Sequence, residues 1–115
     1  MGWDMYATDK SGEDIGITEA FKTASDIVAD MAGSVDCMLS RGGLDVSNCA
    51  SAMEKLTGCS AWEDWSVKDM LRRWQIAETA MQFAEIEEKD EWSYLSAYYF
   101  MKVCAENGYG ARASY

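Results

Sequence analysis

The densest set of chemically active side chains is the run Glu85, Ile86, Glu87, Glu88, Lys89, Asp90, Glu91, five acids against one lysine. Carboxylates in this number suit two tasks. They can hold a hard divalent cation, or they can face the lysines and arginines of a partner. A cation needs oxygens converging from several parts of a fold, which one linear run does not supply. Glu85 and Glu88 do form an E-x-x-E pair, as an all-α nucleotide pyrophosphatase would use for magnesium. Such an enzyme needs a second acidic pair on the following helix, and this chain offers only Glu106 after Glu91. The metal enzyme is therefore the alternative reading and a partner surface the preferred one, with no cofactor expected.

Other chemistries are closed by residue type. The chain has no histidine. It therefore lacks the base of a Ser-His-Asp triad, the imidazole ligands of most zinc sites and the E-x-x-H spacing of a di-iron bundle. Cys37, Cys49, Cys59 and Cys104 include no C-x-x-C pair and read as small apolar residues. There is no phosphate-binding glycine motif and no G-x-S-x-G elbow. The stretch Asp9 to Asp14, DKSGED, lacks the register of a calcium loop and reads as a turn. The expectation is a protein without catalytic residues.

Twenty acids and ten bases give a net charge of −10. Direct contact with a phosphate backbone needs a positive field, so a nucleic acid is not the expected ligand. An acidic surface steers basic partners instead. Five tryptophans and six tyrosines exceed the needs of a small helical core, and both residue types anchor interfaces. The candidate partner-binding residues are Glu85, Glu87, Glu88, Asp90 and Glu91, with Trp62 and Tyr98 as aromatic anchors. Lys68, Arg72 and Arg73 form the one basic cluster. Asp64 and Asp69 precede them at spacings that favour local ion pairs on a helix.

The elements that must position these residues follow from periodicity. A single domain over 1–115 is expected, since 115 residues suffice for one core. Residues 2–7 alternate as a strand, and Asp14 to Ile17 can return as a second, giving a hairpin over 1–17. A helix capped by Thr18 carries Phe21, Ala24, Val28, Met31, Val35 and Met38 on one face and stops at Gly42-Gly43. A shorter helix spans Ser47 to Gly58. A single turn then runs from Ser60 to Trp65, where Ser60 and Glu63 have capping-box spacing. The third helix runs from Ser66 to Lys89, with Val67, Met70, Trp74, Ala77, Met81 and Ala84 as its core face and Phe83 and Ile86 off that seam. Trp65 and Met70 are placed as a hydrophobic staple. A last helix spans Asp90 to Asn107, with one stripe through Trp92, Leu95, Tyr99 and Val103 and another through Tyr94, Tyr98, Met101 and Ala105. The fold class is mainly α: an irregular bundle of three to four helices over 18–108 with a short N-terminal β-hairpin. It becomes α+β if the tail, 109–115, adds a strand.

The opening M-G-W-D-M-Y resembles the start of small uncharacterised phage and bacterial proteins that begin M-G-x-D-x-Y. The likeness covers six residues. It implies a phage or mobile-element setting and carries no activity and no residue role. With no apolar run of the ~20 residues that cross a bilayer and no signal-peptide pattern, the expected place is the cytoplasm, that of the host if the source is a phage. The preferred function is an acidic binding protein that occludes a basic, nucleic-acid-binding surface of a host protein. The alternatives are the carboxylate metal enzyme and a self-associating structural helical protein.

Overall fold

The computed structural model describes residues 2–33, 39–40 and 42–115. Strand β1 (Asp4–Thr8) is followed by helix α1 (Glu19–Met31), the short strands β2 (Leu39–Ser40) and β3 (Gly43–Leu44), and helices α2 (Ala50–Thr57) and α3 (Val67–Phe83). A 3-10 turn at Glu88–Asp90, helix α4 (Glu91–Asn107) and strand β4 (Gly110–Ser114) complete the chain. The α-rich class with a small antiparallel sheet matches the sequence reading in outline.

The sheet is built differently from the expected hairpin. β1 pairs antiparallel with β4, from Asp4 opposite Ser114 to Thr8 opposite Gly110, so the tail supplies the partner strand. The segment after the Asp9 turn returns only as far as one bridge, Thr8 with Asp14. The reason lies on the outer edge of β1. Ala7 accepts from the Ile15 N–H (2.9 Å), but its own N–H donates to the Gly42 carbonyl (2.9 Å). The edge that a hairpin would extend along is thus shared with Gly42, just before β3. A Cβ on Gly42 would collide with the Tyr6 ring, and one on Gly43, where φ is 112°, would meet the Phe21 ring at 2.7 Å. Gly42 thus allows close approach to β1 and Gly43 to α1, where the sequence reading used them as a helix stop.

α1 begins as its sequence dictates. The Thr18 Oγ1 accepts from the Phe21 N–H (3.3 Å), and Phe21, Ala24 and Val28 are buried. The helix ends at Met31, earlier than the apolar periodicity suggests, and Gly33 follows at φ 68°. Its left-handed conformation is open to glycine at little cost and closes the helix there. Val35, Cys37 and Met38 lie outside the described residues. α2 starts at Ala50, after Asn48 at φ 64°, and stops at Gly58 as expected.

α4 is the centre of the molecule and packs against α1, α2 and α3. Its buried residues Leu95, Ser96, Ala97, Phe100, Met101, Val103 and Cys104 surround most of the helix. This is why its sequence shows two stripes instead of one. Phe100, on neither stripe, is fully buried and stacks on Phe21 with ring centroids 5.9 Å apart. α3 lays Met70, Trp74 and Ala77 against this centre, and Ala84, expected on that face, is exposed beyond the helix end.

Candidate partner-binding surface

The two ends of α3 hold the candidate residues in different ways. At its start, Ser66 caps the helix, its Oγ accepting from the Asp69 N–H (3.1 Å). Trp65 and Met70 are both buried in the core, as a staple requires. The Trp65 backbone exchanges two hydrogen bonds with Ala111 of β4, each 2.8 Å, and its indole N–H donates to the Ser60 carbonyl (3.0 Å). Pulled flat against β4, residues 61–65 form no helical turn. The capping box expected of Ser60 and Glu63 is replaced. The Ser60 Oγ accepts from the Trp62 N–H (3.2 Å), and Glu63 approaches Arg73 at 3.9 Å.

The acids of this corner are consumed by the chain itself. The Asp64 Oδ1 accepts from the Ala113 N–H (3.0 Å) on the edge of β4, instead of pairing with Lys68. Asp14 holds Arg112 through two hydrogen bonds of 3.1 and 3.0 Å, and the guanidinium lies 4.5 Å from the Tyr6 ring centre. The bonds to Asp14 raise the Arg112 pKa above its ordinary value. The Asp9 Oδ1 accepts from the Ser11 hydroxyl (2.7 Å) and from the N–H groups of Ser11 (2.8 Å) and Glu13 (3.0 Å). These bonds, the Ser11 hydroxyl first, lower the Asp9 pKa and make the stretch a turn. Arg73 stands 4.6 Å from the centre of the Trp65 ring, and no ion pair joins it to Asp69 among the described residues.

At the other end, α3 stops at Phe83, where Ala84 turns extended at ψ 132°. The expected continuation to Lys89 does not form. Past Met81 no side chain as far as Lys89 is buried, and acids three and four apart repel one another on a helix. The run from Glu85 to Glu91 therefore crosses three elements: an extended link, the 3-10 turn and the start of α4. Glu85, Glu87 and Glu88 are exposed, whereas Asp90 and Glu91 are half-buried. Asp90 occupies the position before α4 and Glu91 its first turn, where the helix dipole favours negative charge. The only ion pair of the run among the described residues is Glu87 with Lys89 at 3.4 Å.

No family model matches this chain, and no curated protein or solved structure is similar to it. Geometry alone must therefore sort the candidates. It keeps the five acids together and separates the two aromatics from them. Trp62 is 47% exposed and sits with its ring 5.1 Å from that of Tyr115, near edge-on, beside the end of β4. Tyr98 is half-buried in α4, 4.9 Å from Trp74 and 5.2 Å from Tyr99 between ring centres. Burial raises its phenol pKa, and its place in this packed cluster unsuits it as an exposed anchor. Among the described residues no hydrogen bond, ion pair or ring contact links either aromatic to the acidic run.

The sequence reading missed the residue that does accompany the acids. Phe83, two positions before Glu85, is 79% exposed, the most exposed large apolar side chain among the described residues. Its one sequence signal was its position off the core seam of α3. Ile76, 50% exposed, lies on the same outward face. Among the described residues no group of three or more Cys, Asp or Glu side chains converges closely enough to hold a metal ion. Cys49 and Cys104 are buried, which pushes the Cys49 thiol up to about 12 and raises that of Cys104 as well, so both remain neutral thiols. Among the described residues no helix is long and apolar enough to cross a membrane.

Proposed function

We propose that this protein is a small acidic binding module that engages a basic surface of another protein, one whose lysines and arginines otherwise hold a nucleic acid. The observation that carries the reading is the exposed Phe83 standing directly before exposed Glu85, Glu87 and Glu88. Carboxylates without structural duties match cations on the partner and accelerate encounter. A buried phenylalanine adds about 1.5–3 kcal/mol of transfer free energy and fixes the docked position. Asp90 and Glu91 extend the negative field from the start of α4. Trp62, with Tyr115, is a separate exposed aromatic pair that a large partner would reach at the rim of the contact. The mode of action is occlusion: the module covers the phosphate-binding cations and excludes the nucleic acid. In the setting that the opening residues suggest, the target is a component of a host nucleic-acid-handling machine.

The test uses the immobilised full chain and the phosphocellulose-retained fraction of a bacterial extract. The expected result is capture of a discrete basic protein, released by added DNA and by high salt. The variant Glu85→Lys/Glu87→Lys/Glu88→Lys should capture nothing, and Phe83→Ser should capture weakly. Equal capture by wild type and the charge-reversed variant, or capture unaffected by DNA, would overturn the proposal. Tight Mg²⁺ or Mn²⁺ binding that the same charge reversal abolishes would instead favour the carboxylate metal enzyme.

A further inference from the structure

The outward face of α3 carries a pattern of which the partner reading uses only the acidic end and Phe83. Lys68, Arg72, Ile76, Ala80 and Phe83 recur at steps of four and three, so they form one stripe. The stripe lies away from the buried Met70, Trp74 and Ala77, with Ala80 at its border partly packed on the core. Arg72, Gln75, Ile76, Thr79 and Ala80 border a shallow groove along it. Lys68 and Arg72 are exposed and form no ion pair among the described residues. Read from its N-terminal end, the stripe is basic, then apolar, and it leads into the acids Glu85, Glu87 and Glu88.

A surface ordered as basic, apolar and acidic is complementary to its own copy turned through a two-fold axis. We infer that α3 is a homodimerisation helix, docking antiparallel on α3 of a second copy of this chain. With the axis level with position 78, Ile76 meets Ala80 of the second copy. Each Phe83 falls between Arg72 and Ile76 of the other, where a guanidinium can lie over the ring. Lys68 and Arg72 then face Glu85, Glu87 and Glu88. Both ends of the contact gain the same ion pairs because the interface is isologous.

Magnitudes set the strength. The stripe from Lys68 to Phe83 is about 22 Å long at 1.5 Å per residue. One such stripe covers less than the ~800 Å² per partner of a standard interface. The association is therefore weak and concentration-dependent. Two chains of net charge −10 repel at long range, but that repulsion is screened beyond ~8 Å in physiological salt, so the local pairs decide the docked state. The dimer goes beyond the partner reading and does not depend on it, since Lys68, Arg72 and Ile76 complete a surface whose acids and Phe83 the partner reading also uses. The two have one consequence in common. Docking covers Glu85, Glu87 and Glu88, so a basic partner and the second copy compete for them.

Sedimentation velocity of the purified chain over a wide concentration range tests this without any partner. Wild type should pass from monomer to dimer as concentration rises, and Ile76→Asp should weaken the association by tenfold or more. Two charge-swapped variants give the sharper result. Lys68→Glu/Arg72→Glu and Glu85→Lys/Glu87→Lys/Glu88→Lys should each stay monomeric alone and form a one-to-one dimer when mixed. Circular dichroism of each variant confirms that the helices are retained. A monomeric wild type at every concentration overturns the inference, as do charge-swapped variants that self-associate like wild type or that fail to pair when mixed. Failure of the capture experiment leaves this measurement unaffected, so the two readings fail separately.

Discussion

The corner around the β1–β4 sheet and the link between α3 and α4 are both rich in acids, and the two spend them differently. At the corner, Asp9, Asp14 and Asp64 accept hydrogen bonds from a turn, from Arg112 and from the edge of β4. At the link, Glu85 and Glu88 form no ion pair among the described residues, and Glu87 meets only Lys89 on a solvent-exposed span. A high count of carboxylates therefore does not mark a site. What marks one is a carboxylate whose oxygens the fold leaves to solvent, beside an apolar side chain that the core does not take. The link meets that description through Phe83. The corner meets it only at Trp62 and Tyr115, where the neighbouring Asp64 is already engaged.

The comparison breaks most visibly at Trp65. Its ring is buried, its backbone binds β4 and Arg73 covers its face. Trp65→Ala should cost about 3–5 kcal/mol, read by urea denaturation. A loss below 1 kcal/mol would mean that the corner is not held from this point. A second effect is chemical. The Cys49 thiol, raised by burial from an ordinary 9.0 to about 12, contributes stability that is complete below pH 9 and is lost as pH rises toward 12. The unfolded thiol ionises first, and a single group changes stability by at most about 1.4 kcal/mol per pH unit over that window. Wild type and Cys49→Ala should therefore differ by an amount that shrinks between pH 9 and pH 11. A constant difference would show that the native thiol ionises normally. The smallest effect belongs to Phe83. Phe83→Ser removes an exposed ring from a helix end and should change stability by no more than about 0.5 kcal/mol, while capture of a basic partner falls. A large destabilisation would place Phe83 in the fold and not on a binding surface.

Local devices were legible in the sequence. Thr18 and Ser66 announce their helices because a hydroxyl before an apolar-periodic run satisfies a free N–H. Gly58 and Gly108 mark the ends of α2 and α4. The partner of β1 was not legible, since β4 lies at the other end of the chain and alternation says nothing about which strand a strand meets. The end of α3 was also hidden. E-I-E-E-K is acceptable helix sequence by propensity, and only the lack of a core beyond Met81 ends the helix at Phe83. The site followed the same rule. The acids could be named from composition, but exposure depends on packing, which leaves Tyr98 half-buried and Phe83 exposed. Tyr98 sits against Trp74, whereas Phe83, the last residue of α3, is exposed.

The central claim is this division of labour between two acidic regions, and one paired denaturation measurement tests it most directly. Asp14→Ala/Asp64→Ala removes carboxylates that accept hydrogen bonds from Arg112 and Ala113. Glu85→Ala/Glu88→Ala removes carboxylates with no ion pair among the described residues. The first pair should lower stability by about 1–2 kcal/mol, and the second should leave it unchanged within about 0.5 kcal/mol or raise it slightly as repulsion is relieved. A second pair that destabilises as much as the first would contradict the account, because the acids of the α3–α4 link would then belong to the fold.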